Sequence, residues 1–171
     1  MDKAYQSSVD WFKKPLAGQS LVYFLVGSAI VSFIATIMIC ALMASFGITV
    51  GRRGMGSLLI TNDIIPRMVS YALIEETLCR FIPLFIAFAT KKKYVILATV
   101  ILSSITFGWV HGSWANIPVQ GVAGLIFCCV FLKCSSFGRN LGKGLLCSTA
   151  VHAGFNLILV AILVHGGAKT L

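Results

Sequence analysis

Two of the five acidic residues in the chain, Glu75 and Glu76, stand side by side in a run that is otherwise almost entirely apolar. Placing an ionised group at the centre of a membrane helix costs about 2.5–3.5 kcal/mol on insertion scales, so a charge in such a place points to function by default. Arg80 follows Glu76 by four residues, the order and spacing at which one helix pairs the two charges. Glu75 is rotated from Glu76 by ~100° on a helix and can meet a different partner. Two of the three histidines, His111 and His152, also lie within or at the end of apolar runs. Helical spacing puts Phe107 on the face of His111 and Asn156 on the face of His152. Three helices could therefore bring a carboxylate, two imidazoles and an amide to one cavity, a set suited to proton transfer and to hydrogen-bond donation. Glu75, His111 and His152 would also serve as a His₂Glu zinc set, although no HExxH spacing nominates a metal.

The elements that must position these groups are membrane helices. Of the 171 residues, 58% are hydrophobic and 11% charged, and the mean hydropathy is +0.93. Soluble domains carry about 25% charged residues, so a soluble domain, a disordered chain and a coiled-coil rod are excluded. The fold class expected is all-α, a polytopic membrane bundle of about five helices in a single domain, 1–171. Residues 1–19 form a polar N-terminal segment and 64–163 the core that bears the motifs. The spans expected are 21–47, 64–90, 95–110, a short one at 117–132, and 144–164. The first is too long for the apolar part of a cleaved signal peptide. A glycine-rich basic stretch, Arg52–Asn62, reads as a loop or an interfacial helix. Pro66 and Pro83 flank the acidic pair and suggest a kinked helix beside a wet cavity.

The net charge of +9 comes from Lys and Arg between the apolar runs, with no aromatic-interleaved basic face, so nucleic acid is not an expected partner. With five spans, one side collects Lys3, Lys13, Lys14, Lys91, Lys92, Lys93, Lys133, Arg139 and Lys143, the other Arg52, Arg53, Arg67 and Lys169. The positive-inside rule then puts the N-terminus inside and the C-terminus outside. Trp109 and Trp114 are expected in the interfacial belt, and His165 in solvent. The six cysteines contain no C-x-x-C pair and read as small hydrophobes.

Three motifs carry a resemblance. Glu75-Glu76-Thr77-Leu78-Cys79-Arg80 matches EExxxR, Phe107-Gly108-Trp109-Val110-His111 matches FxxxH, and His152-Ala153-Gly154-Phe155-Asn156 matches HxxxN. In this order within apolar spans, they resemble the CAAX protease and bacteriocin-processing (Abi) family, whose best understood members are glutamate-type intramembrane endopeptidases. The resemblance covers about 64–163 in a chain that is short for the family. It implies that Glu75 is the general base and that His111 helps to polarise a water. His152 and Asn156 would bind the oxyanion, while Glu76 and Arg80 pair behind them and orient Glu75. It also implies a metal-free reaction with no cofactor, zinc being the lesser alternative.

The function expected is hydrolysis of a peptide bond near the membrane, in a prenylated tail, a leader peptide or a small precursor. A non-catalytic membrane immunity or binding protein for a bacteriocin or toxin is the alternative. A proton-relay transporter is a third reading, for which the paired broken repeats are missing. Partners expected are a peptide or protein substrate with or without a lipid, the membrane lipids and, in view of the short chain, a homodimer. The location expected is a bacterial cell (inner) membrane.

Overall fold

The computed structural model describes residues 10, 12–14, 16, 18–48 and 63–165, with side chains as far as Ile162. Its helices are α1 (Gln19–Ser45), α2 (Ile64–Glu76), α3 (Ile82–Ala89), α4 (Lys93–Val110), α5 (Asn116–Cys134) and α6 (Leu141–His165). A π-helical turn, Thr77–Phe81, joins α2 to α3, so that 64–89 is one rod and the bundle has five. Gln19–Ser45, Lys93–Val110, Asn116–Cys134 and Leu141–Ile162 are each long and apolar enough to cross a membrane. The fifth rod reaches crossing length when its three pieces are taken together, ~39 Å at 1.5 Å per residue.

Burial is inverted relative to a soluble protein. Glu76, Arg80, Lys133 and His152 are buried, whereas Val22, Ile34, Leu42, Val69, Phe85 and Leu102 are exposed. The exposed apolar side chains that run along α1, the 64–89 rod and α4 need lipid around them. Helix α5 is the central rod, packed against α1, α4 and α6. The chain is thus an all-α, multi-pass membrane protein. Trp109 and Trp114 are exposed near the α4–α5 turn, as belt residues are.

The helices are longer than hydropathy suggests. Asn140 Oδ1 accepts the Lys143 N–H at 3.0 Å and caps α6, which starts at Leu141 rather than at 144. Helix α5 runs from Asn116 to Cys134, so it is not a short span. Polar residues at these ends belong to the helices because caps and snorkelling stems satisfy them. At Pro83 the helix changes its hydrogen-bond register and carries the π turn. Pro83 has no N–H to give to the carbonyl four residues back, and the Ile82 N–H reaches five residues back to Thr77 O instead. The possible interfacial helix at Arg52–Asn62 lies outside the described residues, as do Lys3, Lys169 and the His165 side chain.

Basic residues gather on one side of the bundle. Lys133 Nζ donates to Lys14 O at 3.0 Å and Lys143 Nζ to Leu16 O at 3.2 Å. Phe137 in the α5–α6 loop packs on Phe12 and on Phe88 at the end of α3. Phe12, Lys14 and Leu16, the end of α3 and the α5–α6 loop therefore share a side, the arrangement that the expected five-rod topology requires.

Small residues set the rod spacing. A Cβ on Gly108 would lie 2.6 Å from Ile117 Cα, and one on Gly121 would lie 3.0 Å from Ser104 O. Glycine at these positions lets α4 and α5 meet backbone to backbone. Gly27 on α1 has nothing within 4 Å of such a Cβ. Gly108→Val is expected to cost about 1–3 kcal/mol by overpacking and to lower the thermal midpoint in detergent, whereas Gly27→Val leaves it unchanged. Equal midpoints for the two variants would refute the close α4–α5 contact.

Candidate active site

The acidic pair lies at the end of α2, where the helix passes into the π turn. Glu76 and Arg80 are both fully buried and paired through Oε1 and Nη1. The guanidinium carbon is 4.2 Å from the centroid of the Phe107 ring and 5.3 Å from that of Phe127. Such aromatic faces stabilise a desolvated cation. Gly124 makes the space: a Cβ there would stand 3.1 Å from Arg80 Nη2 and 3.0 Å from Phe107 Cδ1. Arg80 is thus held by its own helix, by α4 and by α5.

Glu75 points elsewhere, as the ~100° rotation between neighbours requires. Its Oε2 lies 3.6 Å from His111 Nε2 and 3.5 Å from His152 Nε2. The three side chains are 38%, 20% and 2% exposed in that order, so the carboxylate is the open end of the cluster. His111 terminates α4, and its Nδ1 donates to Phe107 O at 2.6 Å. The Asn116 amide donates to His111 O at 3.0 Å and secures the turn that carries the imidazole. His152 lies inside α6, and its Nδ1 is 2.9 Å from Glu76 Oε1. Its ring stacks on Phe127 at 4.8 Å and meets the edge of Phe107 at 5.4 Å.

Glu75, His111 and His152 therefore meet, with Glu76 and Arg80 directly behind them. Asn156 is one turn beyond His152 on α6 and half-buried, and no hydrogen bond ties its amide to the other three among the described residues. Phe107 contacts both imidazoles and Arg80, and its carbonyl orients His111.

Sequence spacing missed three features. Phe127 stands in no motif and is one of twelve phenylalanines, so nothing in its spacing distinguishes it. Gly124 reads as a helix-contact glycine, whereas it gives room to a guanidinium. The Glu76–His152 contact joins residues 76 apart in sequence, and no local period reports it. Among the described residues, no group of three His, Cys, Asp or Glu is arranged to hold a metal ion. All six cysteines are free thiols, with Cys128, Cys134 and Cys147 buried.

A groove of about 350 Å³ is lined by Leu78, Pro83, Ile86, Thr99, Leu102, Ser103 and Thr106, and none of the cluster's own side chains is in its wall. Cys79, also in its wall, is one helical turn from Glu75, and Thr106 precedes Phe107. The groove runs between the π turn with α3 and the middle of α4, on the outer surface of the bundle.

No curated protein and no solved structure matches the chain. A protein family does: residues 30–169 match the family described as type II CAAX prenyl endopeptidase, Rce1-like, a stretch that contains all three motifs and every residue of the cluster. The chain belongs to the Rce1-like family of type II CAAX prenyl endopeptidases.

Proposed function

We propose that the protein is an intramembrane endopeptidase in which Glu75 and His111 activate water against a peptide bond held near the membrane. The observation that carries this reading is the convergence of one half-open carboxylate and two imidazole Nε2 atoms within 3.6 Å. A water seated among them donates one hydrogen bond to Glu75 and one to His111. Its oxygen attacks the carbonyl carbon while its proton passes to Glu75. The carbonyl oxygen becomes an oxyanion that accepts from His152 and from the unengaged Asn156 amide, as preorganised donors require. Collapse re-forms the carbonyl, breaks the C–N bond and returns the proton from Glu75 to the leaving amine. Each step uses groups of this chain, and none needs a metal.

Glu75→Gln keeps the size of the side chain and removes the base. Cleavage of a short peptide by the purified protein is expected to fall by about 10²–10⁴-fold, the range of general base catalysis, with the thermal midpoint retained and with wild-type turnover unaffected by chelator. Loss of wild-type turnover in chelator, restored by zinc, would replace this mechanism with the His₂Glu metal reading. Failure of the wild type on lipidated and unlipidated peptides alike, with protection against a bacteriocin surviving Glu75→Gln in cells, would establish the binding role instead.

The groove supports a reading of the substrate class. A mainly apolar groove on the outer surface, with Cys79 of its wall one turn from Glu75 and the hydroxyls of Thr99, Ser103 and Thr106 in its lining, suits a hydrocarbon chain attached to the peptide being cut. A prenylated tail is the substrate we favour. Leu102→Trp, which fills the groove without touching the cluster, is expected to raise KM for a farnesylated peptide by roughly tenfold, the scale of one or two apolar contacts. It leaves cleavage of the same peptide without its lipid unchanged. An equal effect on both peptides would remove the groove from substrate binding.

A further inference from the structure

The partners of the two imidazoles determine where their protons lie. A backbone carbonyl can only accept, so the His111 Nδ1 that meets Phe107 O at 2.6 Å carries hydrogen. Glu76 Oε1 is held as a carboxylate by Arg80, so the His152 Nδ1 at 2.9 Å carries hydrogen as well. If both rings were neutral, both Nε2 atoms would be bare lone pairs directed at Glu75 Oε2, at 3.6 and 3.5 Å. His152, only 2% exposed, would then turn a lone pair toward a carboxylate oxygen with no donor between them, an unsatisfied arrangement for so buried an imidazole. One further proton resolves it.

We propose that the working site stores this proton on His152, as an imidazolium held between Glu76 and Glu75, and that Glu76 is the positioning residue that keeps it there. The two imidazoles differ in what stands behind them. His111 is backed by a neutral carbonyl, His152 by a carboxylate. The bond made by one ring nitrogen decides the state of the other, so His152 is the better holder of the charge. The ledger of the buried cluster agrees. Glu75 and Glu76 are negative and Arg80 is positive, which leaves one uncompensated negative charge inside the membrane, and an imidazolium at 152 brings the total to zero. The other titratable groups that face this cluster are the thiols of Cys79 on the π turn and Cys128 on α5. Helix α1 brings no charged residue, and α6 adds only the neutral Asn156.

The proposal rests on the peptidase reading for the use of the proton, and it divides the histidines by charge. A neutral His152 with hydrogen on Nδ1 turns a lone pair toward an oxyanion and repels it. Only the imidazolium donates from Nε2. His111 must be neutral to accept from water, and its carbonyl partner leaves it so. One carboxylate removes a proton from water while the other holds a proton in place for the product of that attack.

The test is nitrogen NMR on the full chain labelled with ¹⁵N-histidine in phospholipid nanodiscs, titrated in parallel with peptide cleavage. The three histidine signals are assigned by replacing His111 and His165 in turn. At the pH of fastest cleavage, His152 is expected to carry hydrogen on both nitrogens and His111 on Nδ1 alone. As pH rises, His152 loses the Nε2 proton, and kcat falls across the same step with KM little changed. Glu76→Gln is expected to remove the second proton from His152 at the pH where the wild type holds it and to lower kcat at that pH with KM little changed, the effect of removing an adjacent opposite charge. If this variant does not fold, the wild-type titration decides alone. A neutral His152 at the pH of fastest cleavage, a bare Nδ1 on that ring, or a kcat that ignores its titration overturns the proposal. The spectra need no turnover, so an inactive protein would overturn the peptidase reading while the proton assignment was still read directly.

Discussion

A guanidinium with no exposure, inside a bundle whose outer face is hydrocarbon-like, is the constraint around which the other elements are arranged. Arg80 cannot be left without counter-charge in such a place, and the insertion penalty for an arginine is among the largest of any side chain. Its compensation comes from several rods at once: the Glu76 carboxylate on α2, the Phe107 face on α4 and the Phe127 face on α5. It also needs the missing side chain at Gly124. Glu76 in turn binds His152 on α6 through the same oxygen that Arg80 uses. Glu76 Oε2 and Arg80 Nε and Nη2 have no hydrogen-bond partner of their own among the described residues. The ion pair is thus only partly repaid by hydrogen bonds, and removing either member leaves a buried charge exposed to the full desolvation penalty. Contacts to the pair come from α2, the π turn, α4, α5 and α6 together.

The π turn is the backbone counterpart of that constraint. Pro83 removes the donor that an α-helix would need at that point, and the chain answers with the five-residue bond from Ile82 to Thr77. Such turns recur at functional sites because they change the facing of side chains within one helix. Here the turn carries Arg80 inward, while Leu78 and Cys79 border the outer groove. A proline two residues into α3 thereby serves both the buried ion pair and the opening beside it.

Much of this was legible in sequence because charges in an apolar chain are conspicuous. Glu75, Glu76, Arg80, His111 and His152 stand out against their runs, and helical spacing correctly pairs Glu76 with Arg80 and separates Glu75 from Glu76. Rod positions were legible for the same reason, whereas rod ends were not. Asn140 and Lys143 look like loop residues until a capping bond places them at the start of a helix. Contacts between rods were the least legible. Phe127 is an ordinary apolar residue by pattern, and its stacking on His152 depends on how α5 and α6 face one another. The same holds for Glu76 and His152, whose meeting gives Glu76 an imidazole partner in addition to Arg80.

Hydrolysis inside a membrane poses two opposed demands, since water must reach the reacting atoms while the charges that hold them stay fixed. Under the proposed peptidase reading, the cluster would meet both through a gradient of exposure. Glu75 is 38% exposed and His111 20%, whereas His152 is 2% exposed and Glu76 and Arg80 are sealed. On the proposed reading, the groups that would exchange protons with water stand at the mouth, and the sealed ion pair stands behind them, where each interaction is strengthened by the low dielectric. His152 belongs to both zones, with Nδ1 on the sealed carboxylate and Nε2 toward the open one. A site with all five groups at the mouth would be solvated and loosely oriented. With all five sealed it would be dry. Only a helix that carries adjacent carboxylates to opposite sides of an imidazole satisfies both demands, which is the physical content of two glutamates in succession.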